Sequence, residues 1–288
     1  TLGQVNQETP VVQSNEIDTE SFGIKEKKES QPQSPSGRKL QQVDELMAAG
    51  EAEALPVNKV AIFGGHQQRW HEAWENNPKI ARIGEAFDAK IESGPGHRPY
   101  FKAVDNEKWQ WIPYKPKPAR LYFSKDEVEF ADKIVSKYGG NFIVVEPNLK
   151  QKQESINRDW GFNRYSQVIA SVDANWVQLG SGNIKLLHHV QQIQTSTPRQ
   201  MAAVLSRAKA FLSPEGGLHH TAAALGIRGC VIFGGFISPS VTGYSVHHNF
   251  YVGDGCGMRI KCNHCASAMD SILPDEVSRA MNNLLGRV

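Results

Sequence analysis

The second half of the chain alternates short apolar runs with amphipathic stretches, whereas the first half follows such a pattern only in part. SKDEVEFADKIVSKYG predicts a helix, with Ser124 placed to cap its start and glycines to stop it. NFIVVEP reads as an apolar strand, GFNRYSQVIASVD as a helix, and WVQLGSG as a strand end with a glycine turn. LLHHVQQIQ is a shorter apolar element, and TPRQMAAVLSRAKA predicts a helix with Thr197 at its cap and Pro198 at its first position. AFLSPEGG, GLHHTAAALG and GCVIFGG then read as strand, helix and strand. Apolar strands separated by helices specify a mostly parallel sheet covered on both faces, with the loops after its strands as the ligand edge.

Upstream, LQQVDELMAAGEAEAL places Leu40, Val43, Leu46 and Met47 at helical spacing, and Pro56 ends the run. VNKVAIFGG supplies a short strand, Val57 to Phe63, and HEAWENNPKIARI a helix or turn. The stretch GPGHRPYFKAVDNEKWQWIPYKPKPARLYF is dense in proline and aromatics and reads as an irregular connector near a domain boundary. Residues 1–39 are rich in Gln, Ser, Glu, Lys and Pro and poor in aromatics, a mixture that does not offset the entropy of ordering. The expected organisation is a disordered or loosely docked tail over 1–39, a small first domain over 40–120 and a larger second domain over 121–288.

Composition adds exclusions. With 32 Lys+Arg against 30 Asp+Glu the formal charge is only +2, so no general polyanion field is implied. RPYFKAVDNEKWQWIPYKPKPAR interleaves basic and aromatic residues, yet Asp105 and Glu107 weaken a phosphate track, and no nucleic-acid partner is expected. No apolar stretch approaches bilayer length and Thr1 begins a polar segment, so neither a membrane span nor a secretory signal is expected, and a cytoplasmic location is. Of the four cysteines, Cys256, Cys262 and Cys265 crowd into one ten-residue span with His264. Their spacing matches no standard zinc finger or ribbon, so the sequence reading favours local packing and assigns no metal.

Candidate chemistry concentrates in SPEGGLHHTAAALG. A strand runs through Gly216 and Gly217 into a helix, so free backbone N–H groups and the positive helix end converge where a diphosphate fits. No Gly-Lys-Ser/Thr follows and dinucleotide spacing is absent. The plainer alternative is a tight turn before a packed helix face. His219 and His220 are neighbours, about 100° apart on a helix, so at most one faces a ligand well.

These pieces, in order, resemble the glycosyltransferases of the ADP-heptose:lipopolysaccharide heptosyltransferase family, glycosyltransferase family 9. FIVVEPNLK followed by RDWGFNRYSQVIA is similar to that family's strand, substrate loop and helix start, with Arg158 in place of its lysine and Trp160 in place of its tryptophan. SPEGGLHHTAAALGIRGCVIFGGFISPSVTGY resembles its Asp-Thr-Gly-x-x-His-x-Ala-Ala-Ala-x-Gly segment, and CGMRIKCNHCASAMDSILPDEV its cysteine-bearing stretch.

The resemblance implies a GT-B-like α/β fold of two αβα Rossmann-like domains, with the N-terminal one, 40–120, reduced and on the acceptor side, and 121–288 binding the nucleotide sugar. It implies a metal-independent, inverting transfer from a nucleoside-diphosphate sugar to a carbohydrate or other hydroxyl acceptor, with no cofactor beyond that donor substrate. Asp44, in VDELMAAGEA, takes the general-base position, although Val43 stands where the family has glycine. Arg158 would neutralise the leaving diphosphate, Glu215 replaces the donor-site aspartate, Gly217 lies in the glycine turn and His220 takes the place of the histidine near the nucleotide sugar, with Gly216, Leu218 and His219 completing the expected donor-binding run. The alternative is a protein of this fold that binds or supports structure without turnover, a reading that Glu215 in place of aspartate also fits.

Overall fold

Eight α-helices and eleven strands lie within residues 43–93, 98–149, 153–180 and 184–287, the part of the chain that the computed structural model describes. The expected tail at 1–39 lies outside it. All described residues belong to one unit, Ser36–Val288.

The chain begins with α1 (Val43–Ala54), β1 (Val60–Gly64) and β2 (Gln67–Gln68), then a 3-10 turn at Glu72–Trp74, and continues through β3 (Ala89–Glu92), β4 (Phe101–Ala103) and β5 (Trp109–Trp111). Next come α2 (Lys125–Tyr138), β6 (Phe142–Val145), a 3-10 helix at Gln153–Arg158, α3 (Phe162–Ser171), β7 (Asn175–Gly180), β8 (Gln191–Gln194) and α4 (Pro198–Leu205). The remainder is β9 (Ala210–Pro214), α5 (Gly217–Ala224), β10 (Gly229–Gly234), α6 (Pro239–Thr242), β11 (His248–Tyr251), α7 (Asn263–Ser271) and α8 (Pro274–Leu284).

Six strands form one parallel sheet in the order β11-β10-β9-β6-β7-β8. Alternate side chains of its central strands feed two cores. Phe142, Val144, Phe211, Val231 and Phe233 pack with Ala131 of α2, Val204 of α4 and Ala222 of α5. Ile143, Val145, Leu212 and Ile232 pack on the other face with Tyr165 and Val168 of α3 and Val277 and Met281 of α8. Burial on both faces is why these strands read as unbroken apolar runs. The caps act as predicted: Ser124 and Glu127 form a reciprocal capping box on α2, and the Thr197 side chain accepts from the Gln200 N–H at the start of α4.

A smaller sheet, β2-β1-β3, pairs β1 parallel to β3 and antiparallel to β2. A third core joins it to α1 through Leu46, Ala49, Val60, Ile62, Trp74 and Ile80. Arg199 of α4 is buried, gives Glu127 two hydrogen bonds of 2.6 and 2.8 Å, and donates to the carbonyls of Tyr122 and Glu72, which fastens this layer to the large sheet.

Two segments differ from the sequence reading. The proline-rich connector contains an antiparallel hairpin, β4-β5. Beyond GFISPSVTGYS, where the sequence pattern marks no strand, the chain enters β11 at His248 and closes one edge of the large sheet. Among the described residues no helix is long and apolar enough to cross a membrane.

Candidate functional site

The large sheet changes direction of growth between β6 and β9, because β7 and β8 extend it one way and β10 and β11 the other. Loops leaving the carboxyl ends of these two central strands diverge, and the crevice between them is where open α/β sheets hold ligands. A cavity of about 240 Å³ lies there, lined by Glu146 and Asn148 after β6 and by Glu215, Gly216 and Gly217 after β9. Asp44 at the start of α1 and Arg158 at the end of the 3-10 helix line the same cavity.

Asp44 sits in the first turn of α1, where a helix favours negative charge. Arg98 Nε donates to both of its oxygens, at 2.9 and 2.7 Å, and the Tyr100 hydroxyl donates to Oδ1 at 2.7 Å. Burial opposes the Arg98 charge, but Asp44, Tyr100 and Glu45 together outweigh it and raise the Arg98 pKa. Burial first, then Asp44, raises that of Tyr100, which stays a donor. The carboxylate is therefore held in one orientation, with Oδ2 the less occupied oxygen.

Across the cavity Arg158 Nη1 donates to Glu215 Oε2 at 2.9 Å, and the Thr242 hydroxyl donates to Glu215 Oε1 at 3.2 Å. Arg158 Nε is buried and has no hydrogen-bond partner among the described residues, and the guanidinium lies 5.7 Å from the Phe236 ring centroid. One guanidinium donor is thus unused inside the cavity wall. Beside this pair, Gly216 has φ 156° and ψ −161°, a conformation that side-chain-bearing residues rarely adopt, and it turns the chain straight from β9 into α5. The Gly216 N–H is taken by His219 Nδ1 at 3.0 Å. The next N–H groups, of Gly217 and Leu218, belong to the first helical turn and have no intrahelical acceptor.

The histidines stand behind this turn. His219 Nδ1 accepts from Gly216, so Nε2 carries the proton and donates to the Thr242 carbonyl at 2.9 Å. His220 Nδ1 meets the Tyr244 hydroxyl at 2.8 Å, and His247 Nε2 donates to the His219 carbonyl at 3.1 Å. Burial lowers the pKa of all three, that of His247 to about 4, so they are neutral packing and bracing groups at neutral pH. Glu215, His219 and His220 place ligand atoms within 4.8 Å of one another, but both His219 nitrogens are already used.

Of the residues singled out from the sequence, Asp44, Arg158, Glu215, Gly216, Gly217 and Leu218 line one cavity, while His219 and His220 do not. Sequence reading missed Arg98 and Tyr100 as the partners of Asp44, and missed Phe236 as the residue that completes an aromatic wall with Phe101, Trp109 and Trp111. The rings of Phe101 and Trp109 lie 4.6 Å apart, and Trp111 Nε1 donates to the Phe236 carbonyl at 2.7 Å. The signal for the hairpin rings was the aromatic density of the connector segment, a composition that suits an acceptor-sugar platform as well as interdomain packing. Among the described lining residues, four carboxylates (Asp44, Glu146, Glu154, Glu215) face two guanidiniums (Arg98, Arg158).

No family model and no curated protein matches the sequence. Among solved structures, the chain is similar to the glycosyl transferase family 9 protein from Veillonella parvula DSM 2008, at 14% identity over 59% of this chain and 55% of that one, TM-score 0.45. It is also similar to E. coli ADP-heptose lps heptosyltransferase II, at 17% identity over 60% and 55% of the two chains, TM-score 0.44. A third is E. coli heptosyltransferase WaaC with ADP, at 13% identity over 60% and 53%, TM-score 0.41. The chain spans about half the length of each.

Proposed function

We propose that the cavity takes a nucleoside-diphosphate sugar and transfers its sugar, with inversion, to a hydroxyl of a carbohydrate or similar acceptor. The observation that carries this reading is the meeting of Asp44, Arg158, Glu215 and the first turn of α5 around one cavity at the sheet's switch point. The diphosphate lies over the N–H groups of Gly217 and Leu218 and beside the unused Nε of Arg158. Residues 121–288 form the donor side, and 40–120 bring Asp44, Arg98 and the aromatic hairpin to the acceptor side.

In the reaction the acceptor O–H bond breaks and its proton goes to Asp44 Oδ2. The acceptor oxygen forms a bond to the anomeric carbon on the face opposite the diphosphate. The bond from that carbon to the diphosphate oxygen breaks, and its electron pair leaves with the nucleoside diphosphate. Arg158 and the α5 N-terminus meet the charge that develops on the leaving group. Arg98 and Tyr100 are positioning residues that keep the carboxylate aimed. No residue in this scheme needs a metal or a cofactor.

The excess of carboxylates supports a second reading. A wall of indole and phenyl rings with several carboxylate acceptors also suits a neutral sugar held through its hydroxyls, as in a binding protein of this fold without turnover. Isothermal titration with nucleoside diphosphates, nucleotide sugars and free sugars separates the two. Saturable binding of a nucleoside diphosphate that Arg158→Ala weakens supports transfer; binding of free sugars with none of a nucleoside diphosphate overturns it.

A further inference from the structure

Outside the cavity, the structure gathers the four residues that sequence spacing had left as local packing. Cys256 lies in the loop after β11, Cys262 caps the start of α7, and His264 and Cys265 belong to its first turn. Cys256 Sγ is 3.9 Å from Cys262 Sγ and 3.1 Å from Cys265 Sγ, and a ligand atom from each of the four residues falls within 4.8 Å of the others. Thiolates about 2.3 Å from a tetrahedral ion stand roughly 3.8 Å from one another, so the cluster is near the right size before any ion draws it in.

We propose that Cys256, Cys262, His264 and Cys265 form a closed tetrahedral site for a structural zinc ion. Three thiolates and one imidazole are a set that zinc takes in structural sites, with no open position left for catalysis. Binding one Zn²⁺ displaces a proton from each of the three thiols, and neutral His264 supplies the fourth ligand. The surroundings fit a site built to hold such ligands. The Met258 N–H approaches Cys256 Sγ at 3.5 Å, and the start of α7 favours negative charge on Cys262 and Cys265. The His264 ring packs against two glycines: a Cβ on Gly253 would come within 2.6 Å of its Nε2, and one on Gly235 within 2.9 Å of its Cε1. Gly253, Gly255 and Gly257 all have positive φ, 90°, 71° and 67°, and coil the loop so that Cys256 faces α7.

The spacing defeated sequence reading because one ligand arrives on a glycine coil and the others on a helix start. Standard fingers and ribbons pair ligands on turns of fixed length.

The site has a structural task that the fold makes visible. Asn157 is buried, donates to the carbonyls of Met258 and Ile260 at 2.6 Å each, and accepts from the Cys262 N–H at 3.0 Å. Its neighbour Arg158 enters the cavity. On the other side Gly257 accepts from the Trp109 N–H at 2.9 Å, and Arg259 donates to the Glu107 carbonyl at 2.7 Å. An ion at the cluster therefore fixes a loop that holds both the Arg158 helix and the aromatic hairpin. This role stands whether or not the cavity performs transfer.

The test is metal analysis of the full chain purified without added metal or chelator, followed by reconstitution of the chelated protein with Co²⁺ alone. The expected results are about one zinc per chain, a cobalt spectrum with thiolate-to-metal charge transfer and tetrahedral ligand-field bands, and a lower Tm after chelation. Cys262→Ser and His264→Ala should each weaken cobalt binding by at least about tenfold, an effect in the range seen when metal sites are damaged, while Cys230→Ala should not. A Cys256–Cys265 disulfide in the purified protein, the visible absorption of a ferric thiolate centre in place of zinc, or octahedral cobalt without charge transfer would each overturn the assignment. The cobalt spectrum of the unaltered chain decides the case even if a variant fails to fold.

Discussion

Replacing Arg158 should damage stability and donor binding by different routes, and a second substitution should separate them. Arg158 and Glu215 have side chains only 17% and 6% exposed and meet at 2.9 Å. Arg158→Ala strands a buried carboxylate, a change that costs about 3–5 kcal/mol in comparable pairs. Thr242 continues to donate to Oε1, so the lower figure applies. For a unit of this size about 3 kcal/mol lowers Tm by roughly 6–12 °C. In Arg158→Ala/Glu215→Gln the residual group is a neutral amide that can keep the Thr242 bond, and stability should return to within about 1 kcal/mol of the parent. The leaving group still lacks its cation, so transfer should stay down by about 10²-fold or more. Scanning calorimetry and donor titration on the parent, both singles and the double complete the cycle. Recovery of both properties in the double variant, or loss of neither in Arg158→Ala, refutes the reasoning.

Two further outcomes are expected. Gly216→Ala meets no atom within 4 Å but holds a glycine-only backbone conformation, so it should cost about 1–3 kcal/mol by thermal melting and weaken nucleoside-diphosphate binding in titration. Stability should also fall in mild acid: burial lowers His247 from its ordinary 6.5 to about 4, so between these values only the unfolded chain takes up the proton. That contribution is whole above pH 6.5 and is lost progressively as pH drops, by up to about 3 kcal/mol for this residue. His219 and His220 act in the same direction, and a Tm series from pH 8 to 5 should flatten measurably in His247→Gln.

The large sheet was legible in the sequence because its strands are buried on both faces and so leave continuous runs such as FIVV and GCVIFG, while Ser124 and Thr197 mark helix starts. β11 was not, since HNFY is half-exposed at a sheet edge and carries no apolar run. The hairpin of Trp109 and Trp111 was hidden by its proline-rich flanks and by a partner, Phe236, 125 residues away from Trp111. The half of the cavity that follows β9 was readable because Glu215, Gly216 and Gly217 are consecutive and Gly216 needs a special backbone. Its other half was not. Arg98 and Tyr100 reach Asp44 across 54 and 56 residues, a closeness that only the packing of α1 against the small sheet creates.

The central claim is that Asp44 takes a proton from an acceptor while a nucleoside diphosphate departs from the facing wall. It is tested most directly by following nucleoside-diphosphate release from a panel of nucleotide sugars and hydroxyl acceptors, with the parent chain and Asp44→Asn side by side. The expected result is acceptor-dependent release by the parent, a product of inverted anomeric configuration, and a loss of about 10²–10⁴-fold in Asp44→Asn with donor binding retained. Donor binding without release on any acceptor, or equal release by the two proteins, would contradict it.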